Sequence, residues 1–188
     1  LRRQRQMCIR DSSMEMHLNN PNVEGLIFDF FHFYGNTNSI LNSPGWYRSE
    51  ARIIKNSVRS YAPDGLFWLI LDSNKKGRYP KAKHTGASCY HYGWARNENQ
   101  MNLKSHKVQK YWGKQFIKID YSQMDKTIIE LFKGAHPKII EDWLSEEKSL
   151  FQVDLNYVPT KKQRKHQIMI KLEKLFGVDL SKKHYKLV

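Results

Sequence analysis

Val23-Glu24-Gly25-Leu26-Ile27-Phe28-Asp29-Phe30-Phe31-His32-Phe33-Tyr34 is a nearly continuous apolar and aromatic run, broken by Asp29 and His32. A strand with one wet face would alternate apolar with polar residues; this one does not, which suits a strand buried on both faces. Gly35-Asn36-Thr37-Asn38-Ser39 then reads as a loop and Asn42-Ser43-Pro44-Gly45 as a turn. Trp46 to Asn56 is expected to hold a strand around Ala51-Arg52-Ile53-Ile54. Gly65-Leu66-Phe67-Trp68-Leu69-Ile70-Leu71 is a further run of strand length, and Gly86 to Trp94 another, separated by the lysine-rich loop Asp72 to Pro80. Val23–Tyr34, Gly65–Leu71 and Gly86–His91 are expected to share one sheet.

Downstream of Trp94 the period changes. Glu98 to Tyr111 is expected to be helical. Ser122 with Asp125 reads as a capping box ahead of Ile128, Ile129, Leu131 and Phe132, stopped by Gly134. Pro137 suits the first turn of a helix running to about Leu150. Thr160 with Gln163 forms a second capping box; Ile168, Leu172 and Leu175 follow at i, i+4 and i+7, and Gly177 ends the run. Strands first and helices second imply a mixed α/β (α+β) fold with the helices gathered C-terminally.

The bulk numbers allow such a fold. A 188-residue chain fits one domain or a large piece of one, and 40% hydrophobic with 13% aromatic residues is inconsistent with disorder. No apolar run reaches the roughly 20 residues of a membrane helix. The N-terminus calls for separate treatment: Met7-Cys8-Ile9-Arg10-Asp11-Ser12 is the translation of ATG TGT ATA AGA GAC AG plus one base, DNA that resembles the transposase end used in sequencing libraries. Residues 1 to 13 are therefore expected to be an assembly artefact without packed contacts, and are left out of the fold reasoning. They carry +3 of the net +14, so the remainder is still basic at +11. Cys89 is then the one cysteine, which forms no internal disulfide and favours a reducing, cytoplasmic compartment.

Four stretches mix aromatics with His, Arg or Gly at element ends: His32-Phe33-Tyr34-Gly35, Trp46-Tyr47-Arg48-Ser49-Glu50-Ala51-Arg52, His91-Tyr92-Gly93-Trp94-Ala95-Arg96 and Phe132-Lys133-Gly134-Ala135-His136-Pro137. Aromatic faces stack on sugar rings, and Arg forks bind phosphates and carboxylates. In order and spacing these stretches resemble family 2-type glycosyltransferases of the A-type nucleotide-sugar fold, over about Glu15 to Pro137. The resemblance implies an acceptor-side half over residues 14–137, a helical extension over 138–188, and an upstream donor half carrying an Asp-x-Asp-like metal motif. No such motif precedes Val23, so a truncated chain, inactive by itself, is expected.

The resemblance also assigns roles. His91 is the candidate ligand for a divalent cation, Mg²⁺ or Mn²⁺; imidazole serves Mn²⁺ beside carboxylate and phosphate oxygens. The alternative is a structural histidine at a strand end. A general base removes the acceptor proton as the hydroxyl attacks the anomeric carbon. Asp64 best matches the family's acidic position, displaced by one residue with Pro63 in the expected place, and Glu50 is the reserve. His32, Tyr34, Trp46, Arg48, Trp94 and Arg96 are candidates to line the acceptor or diphosphate groove, and Lys104 to neutralise donor phosphate. Each alone also reads as packing or a solvated rim. His136 before Pro137 reads as a helix cap. His17, His84, His106, His166 and His184 show no spacing of a zinc site.

The implied partners are a nucleotide-sugar donor and a glycan or lipid-linked acceptor, without nucleic acid. The basic segment Lys161-Lys162-Gln163-Arg164-Lys165-His166 reads either as a solvated face or as a contact with anionic lipid at the inner membrane face. Two other classes compete: a nucleic-acid-binding module, suggested by the charge and the interleaved aromatics, and a non-enzymatic remnant.

Overall fold

The computed structural model describes residues 14–73, 76–112, 118–146 and 152–188. The proposed artefact, residues 1 to 13, lies outside them. The elements in chain order are α1 (residues 14–19), β1 (Gly25–Tyr34), β2 (Ser39–Leu41), β3 (Ser49–Ile54), β4 (Ser60–Tyr61), β5 (Leu69–Leu71), β6 (Gly77–Arg78), β7 (Lys81–Trp94), α2 (Glu98–Trp112), β8 (Ile129–Leu131), α3 (Glu141–Glu146), α4 (Lys161–Phe176) and β9 (Lys186–Leu187). The fold is mixed α+β, with α2, α3 and α4 all C-terminal to the long strands, as the change of period requires. No helix among the described residues is long and apolar enough to cross a membrane.

The chain forms two compact units, and both draw on β1 and β7. The first holds the chain up to Phe30, Tyr47–Cys89 and Lys182–Val188; the second holds Phe31–Trp46 and Tyr90–Ser181. In the first, β3 lies antiparallel on the start of β1, with Gly25 opposite Ile54 and a register shift at Leu26/Ile27. β9 pairs parallel with the start of β7. Ile27, Ala51, Ala82 and Tyr185 make the core, with Ile54 against them. In the second unit β2 pairs with the end of β1, Phe33 opposite Ile40, and β8 pairs with β2. Tyr34, Leu41, Met101, Tyr121 and Ile128 form its core, flanked by Trp46, Trp94, Ile119, Met124, Ile129 and Ile170.

This division explains the run that opens the sequence. Leu26 and Ile27 are buried in the first unit and Phe33 and Tyr34 in the second, while Asp29 between them is exposed. β7 is β1's neighbour. The Glu24 amide donates to Lys81 O and the Gly35 amide to Trp94 O, so the two strands run in the same direction. Gly86 interrupts β7 with φ +67°, and beside it Thr85 Oγ1 donates to Ile27 O and accepts from the Ala87 amide.

Several expectations are corrected. Gly65–Leu71 does not join the main sheet. Pro63–Gly65 is a 3-10 turn, with Gly65 at φ +66°, and only Leu69–Leu71 is strand, in a separate sheet β4-β5-β6. The supposed helix over Ile128–Phe132 is the strand β8. Asp125 caps a 3-10 turn (Lys126–Ile128) by accepting from the Thr127 amide, and the segment then pairs with β2. The β-branched pair Ile128-Ile129 favours that outcome. After Pro137, a 3-10 turn (Lys138–Ile140) leads into the short α3, and the expected end near Leu150 falls outside the described residues. The Thr160 box is present: Thr160 accepts from the Gln163 amide, Gln163 reaches back to the Thr160 amide, and Gly177 ends α4 at φ +64°.

Gly86→Ala tests the interruption in β7. A Cβ there meets open space, but the left-handed backbone disfavours any side chain. The expected loss is about 1–2 kcal/mol, read as a lower urea midpoint with the slope unchanged.

Candidate functional site

In the second unit, strand alternation sorts the aromatic residues into two faces. On one, His32 lies against His91, with their Nδ1 atoms 3.0 Å apart and the rings edge to face at 5.2 Å. Trp46 sits 5.3 Å from the His32 ring, Trp94 6.1 Å from Trp46, and Tyr34 stacks on Trp94 at 5.7 Å. His32 is buried; His91, Trp46 and Trp94 are half-buried. The turn at Pro44-Gly45 delivers Trp46, whose amide donates to Ser43 O. The end of β7 is tied down by the Tyr121 hydroxyl, which donates to Trp94 O at 3.0 Å and Arg96 O at 2.8 Å. Gly93 has a local purpose: a Cβ there would sit 2.6 Å from His91 Nε2. Its absence lets the imidazole lie over the Gly93 backbone.

On the other face Phe33 stacks on Tyr92 at 4.4 Å and 8°. Phe132 packs edge-on against Phe31 and Phe33, and His136 lies 4.9 Å from Phe132. His136 is therefore not a helix cap: its Nδ1 shares a 2.8 Å hydrogen bond with the Tyr92 hydroxyl. Burial pushes the Tyr92 phenol up to about 12 and holds His136 below the usual imidazole value. Beside this layer runs a groove of about 540 Å³ lined by Phe31, Ile40, Glu130, Leu131, Phe132, Lys133 and Gly134. Aromatic edges with one acid and one base at the rim suit a ligand with both apolar ring faces and hydroxyls.

The predicted residues divide accordingly. His32, Tyr34, Trp46, His91 and Trp94 gather in one cluster. Lys104, on α2 of the same unit, donates from Nζ to Gly93 O at 3.0 Å; its desolvation, then the Arg96 charge, lower its pKa. Arg96 is exposed. Arg48, Glu50 and Asp64 belong to the first unit. Arg48 is half-buried and its carbonyl accepts from the Phe30 amide. Asp64 sits in the Pro63–Gly65 turn.

Glu50 is engaged elsewhere than at an acceptor. Its carboxylate has no exposed area, accepts from the Ala51 amide and lies 2.6 Å from His184 Nδ1. Phe67 stacks on the His184 ring at 4.3 Å and Tyr79 closes its edge. Sequence reasoning missed this pair because 134 positions separate its members. It also missed the Tyr92–His136 layer, although alternation of the Phe31/Phe33 and Tyr90/Tyr92 positions was a usable signal. Among the described residues, no three His, Cys, Asp or Glu side chains gather to hold a metal ion by themselves. No family model, curated protein or solved structure matches the chain.

Two outcomes are expected. Glu50→Ala strands His184 in an apolar site and should cost about 3–5 kcal/mol, measured by urea denaturation. His136 and His166 should make the fold acid-sensitive. Burial lowers both, His166 further through Lys162 and Lys165, from an ordinary value of 6.5. Below that value the unfolded chain binds more protons than the folded one, so stability is full above it and falls as pH drops through the folded values. Urea midpoints between about pH 7.5 and 5 should decline, and His136→Gln should flatten the decline.

Proposed function

We propose that this chain is the acceptor-side part of a nucleotide-sugar glycosyltransferase of the family 2 type, with the A-type fold of that class. The observation that carries the reading is the clustering of His32, Trp46, His91 and Trp94, side chains drawn from three of the four stretches that prompted the resemblance. The fourth stretch supplies Phe132 and His136 on the other face of the same strand pair.

The reaction joins an acceptor hydroxyl oxygen to the anomeric carbon as the bond to the nucleoside diphosphate breaks; the hydroxyl proton passes to a base. A divalent cation, when bound, neutralises the charge on the departing diphosphate. His91 fits as one of its ligands. Its Nδ1 is engaged with His32, and metal-bound imidazoles are commonly held in this way through the other ring nitrogen. The ring lies over Gly93, where a Cβ would meet Nε2. Trp46 and Trp94 offer ring faces to a sugar or base. The groove beside Phe31 and Phe132 lies on the opposite face of the strand pair from His91 and takes no part in this transfer. The resemblance assigns the general base to Asp64.

The test is metal-dependent sugar transfer by the chain joined to its donor-binding half. His91→Ala and Gly93→Ala should each lower transfer about 10–100-fold, the range for disturbing a ligand or its orientation. The first removes the imidazole and the second displaces it. Unchanged transfer in both variants removes His91 from the cation site. If no nucleotide sugar is used, but DNA or RNA binds with steep salt dependence, the nucleic-acid reading replaces this one.

A further inference from the structure

The rotation of α4 places its apolar stripe outward. The side chains that tie the helix to the second unit are Gln163, His166, Gln167 and Ile170, at i, i+3, i+4 and i+7. Gln163 Oε1 accepts from the Tyr157 hydroxyl, Gln167 Nε2 donates to Asp125 Oδ2 at 2.9 Å, His166 Nδ1 lies 3.4 Å from Ser43 Oγ, and Ile170 packs on the core. Gly45 permits this rotation, because a Cβ there would sit 2.4 Å from the His166 ring. Three of the four inward positions are thus polar. Ile168, Leu172 and Leu175, the apolar positions at i, i+4 and i+7, face outward: they are 60%, 39% and 74% exposed, and Phe176 beside them is 66% exposed. These four side chains occupy an arc of about 100° on the outer face.

Charge selects the occupant of that face. Lys161, Lys162, Arg164, Lys165, Lys171 and Lys174 are all exposed on the same helix. Its one acid, Glu173, turns to the chain terminus, where Oε1 accepts from the Leu180 amide. A second copy would set these cations against each other with no exposed acid of α4 to offset them. An anionic surface would not. The face is a convex single helix, basic over its first turns and apolar over its last, so it meets a plane better than it fills a groove. Helices of this kind lie in the headgroup region, with the apolar side chains below it and the lysines among the phosphates. We propose that α4 docks the protein on an anionic lipid bilayer, with Leu172, Leu175 and Phe176 inserted and Lys161, Arg164 and Lys165 on the headgroups. This inference stands on α4 alone and does not depend on the glycosyltransferase reading.

The test is co-sedimentation of the full chain with vesicles of phosphatidylcholine, alone or with phosphatidylglycerol. Partitioning onto the anionic vesicles should exceed that onto the neutral ones by at least about tenfold and weaken with salt. Leu175→Asp with Phe176→Asp should reduce it about tenfold or more, with the thermal midpoint unchanged because both side chains are exposed. If that pair lowers the midpoint, Leu172→Gln with Leu175→Gln carries the same test. No preference for anionic vesicles would overturn the proposal. So would partitioning that survives the apolar substitutions, since the net charge alone would then explain it. A dimer in sedimentation equilibrium that the same substitutions dissociate would assign the face to a second copy instead.

Discussion

β1 and β7 run side by side in the same direction, and each feeds two cores. Glu24 donates to Lys81 at one end of the pair and Gly35 to Trp94 at the other. A strand that buries Leu26 and Ile27 in one unit and Phe33 and Tyr34 in the other has little room for polar residues. Asp29 sits where the strand is exposed. Parallel pairing also needs a long connection between the strands. Here that connection carries β3 and the small sheet β4-β5-β6.

The candidate site follows from the same pairing. Alternation puts His32 and His91 on one face, and Phe33 and Tyr92 on the other, at matching heights of neighbouring strands. An imidazole pair backed by two indoles and a dense phenyl–phenol layer therefore occupy opposite sides of a few residues of backbone. The histidine-bearing face carries the imidazole pair; the other has the ring surface and the groove. Glycine sharpens the arrangement at Gly93, where backbone without a side chain gives the His91 ring its space.

The polar burials have different energetic characters. Glu50 and His184 are both deeply buried and 2.6 Å apart, so removing either leaves an uncompensated group in low dielectric. Arg78, held between Glu24 and Asp72, keeps more contact with water; its bond depresses the Glu24 carboxyl below its usual range. Solvent screening makes such a pair a modest contributor to stability.

Local sequence determined those features whose physics is local. The nearly continuous run at Val23–Tyr34 identified a buried strand, the Thr160–Gln163 box and Gly177 bounded α4, and the change of period placed α2, α3 and α4 from Glu98 onward. The grouping of His32, Trp46, His91 and Trp94 was legible as motifs at strand ends, because strands deliver side chains at fixed intervals. Tertiary structure decided the rest. Ile129–Leu131 became a strand because β2 offered it a pairing partner, overriding a helix-like pattern of caps and apolar residues. Gly65–Leu71 was removed from the main sheet by a turn with a left-handed Gly65. Glu50 found its partner 134 residues away, a distance at which no local pattern carries information. The direction of α4's apolar stripe was set by Gln163, His166, Gln167 and Gly45: periodicity states that a helix has two faces, and only its neighbours fix which one meets water.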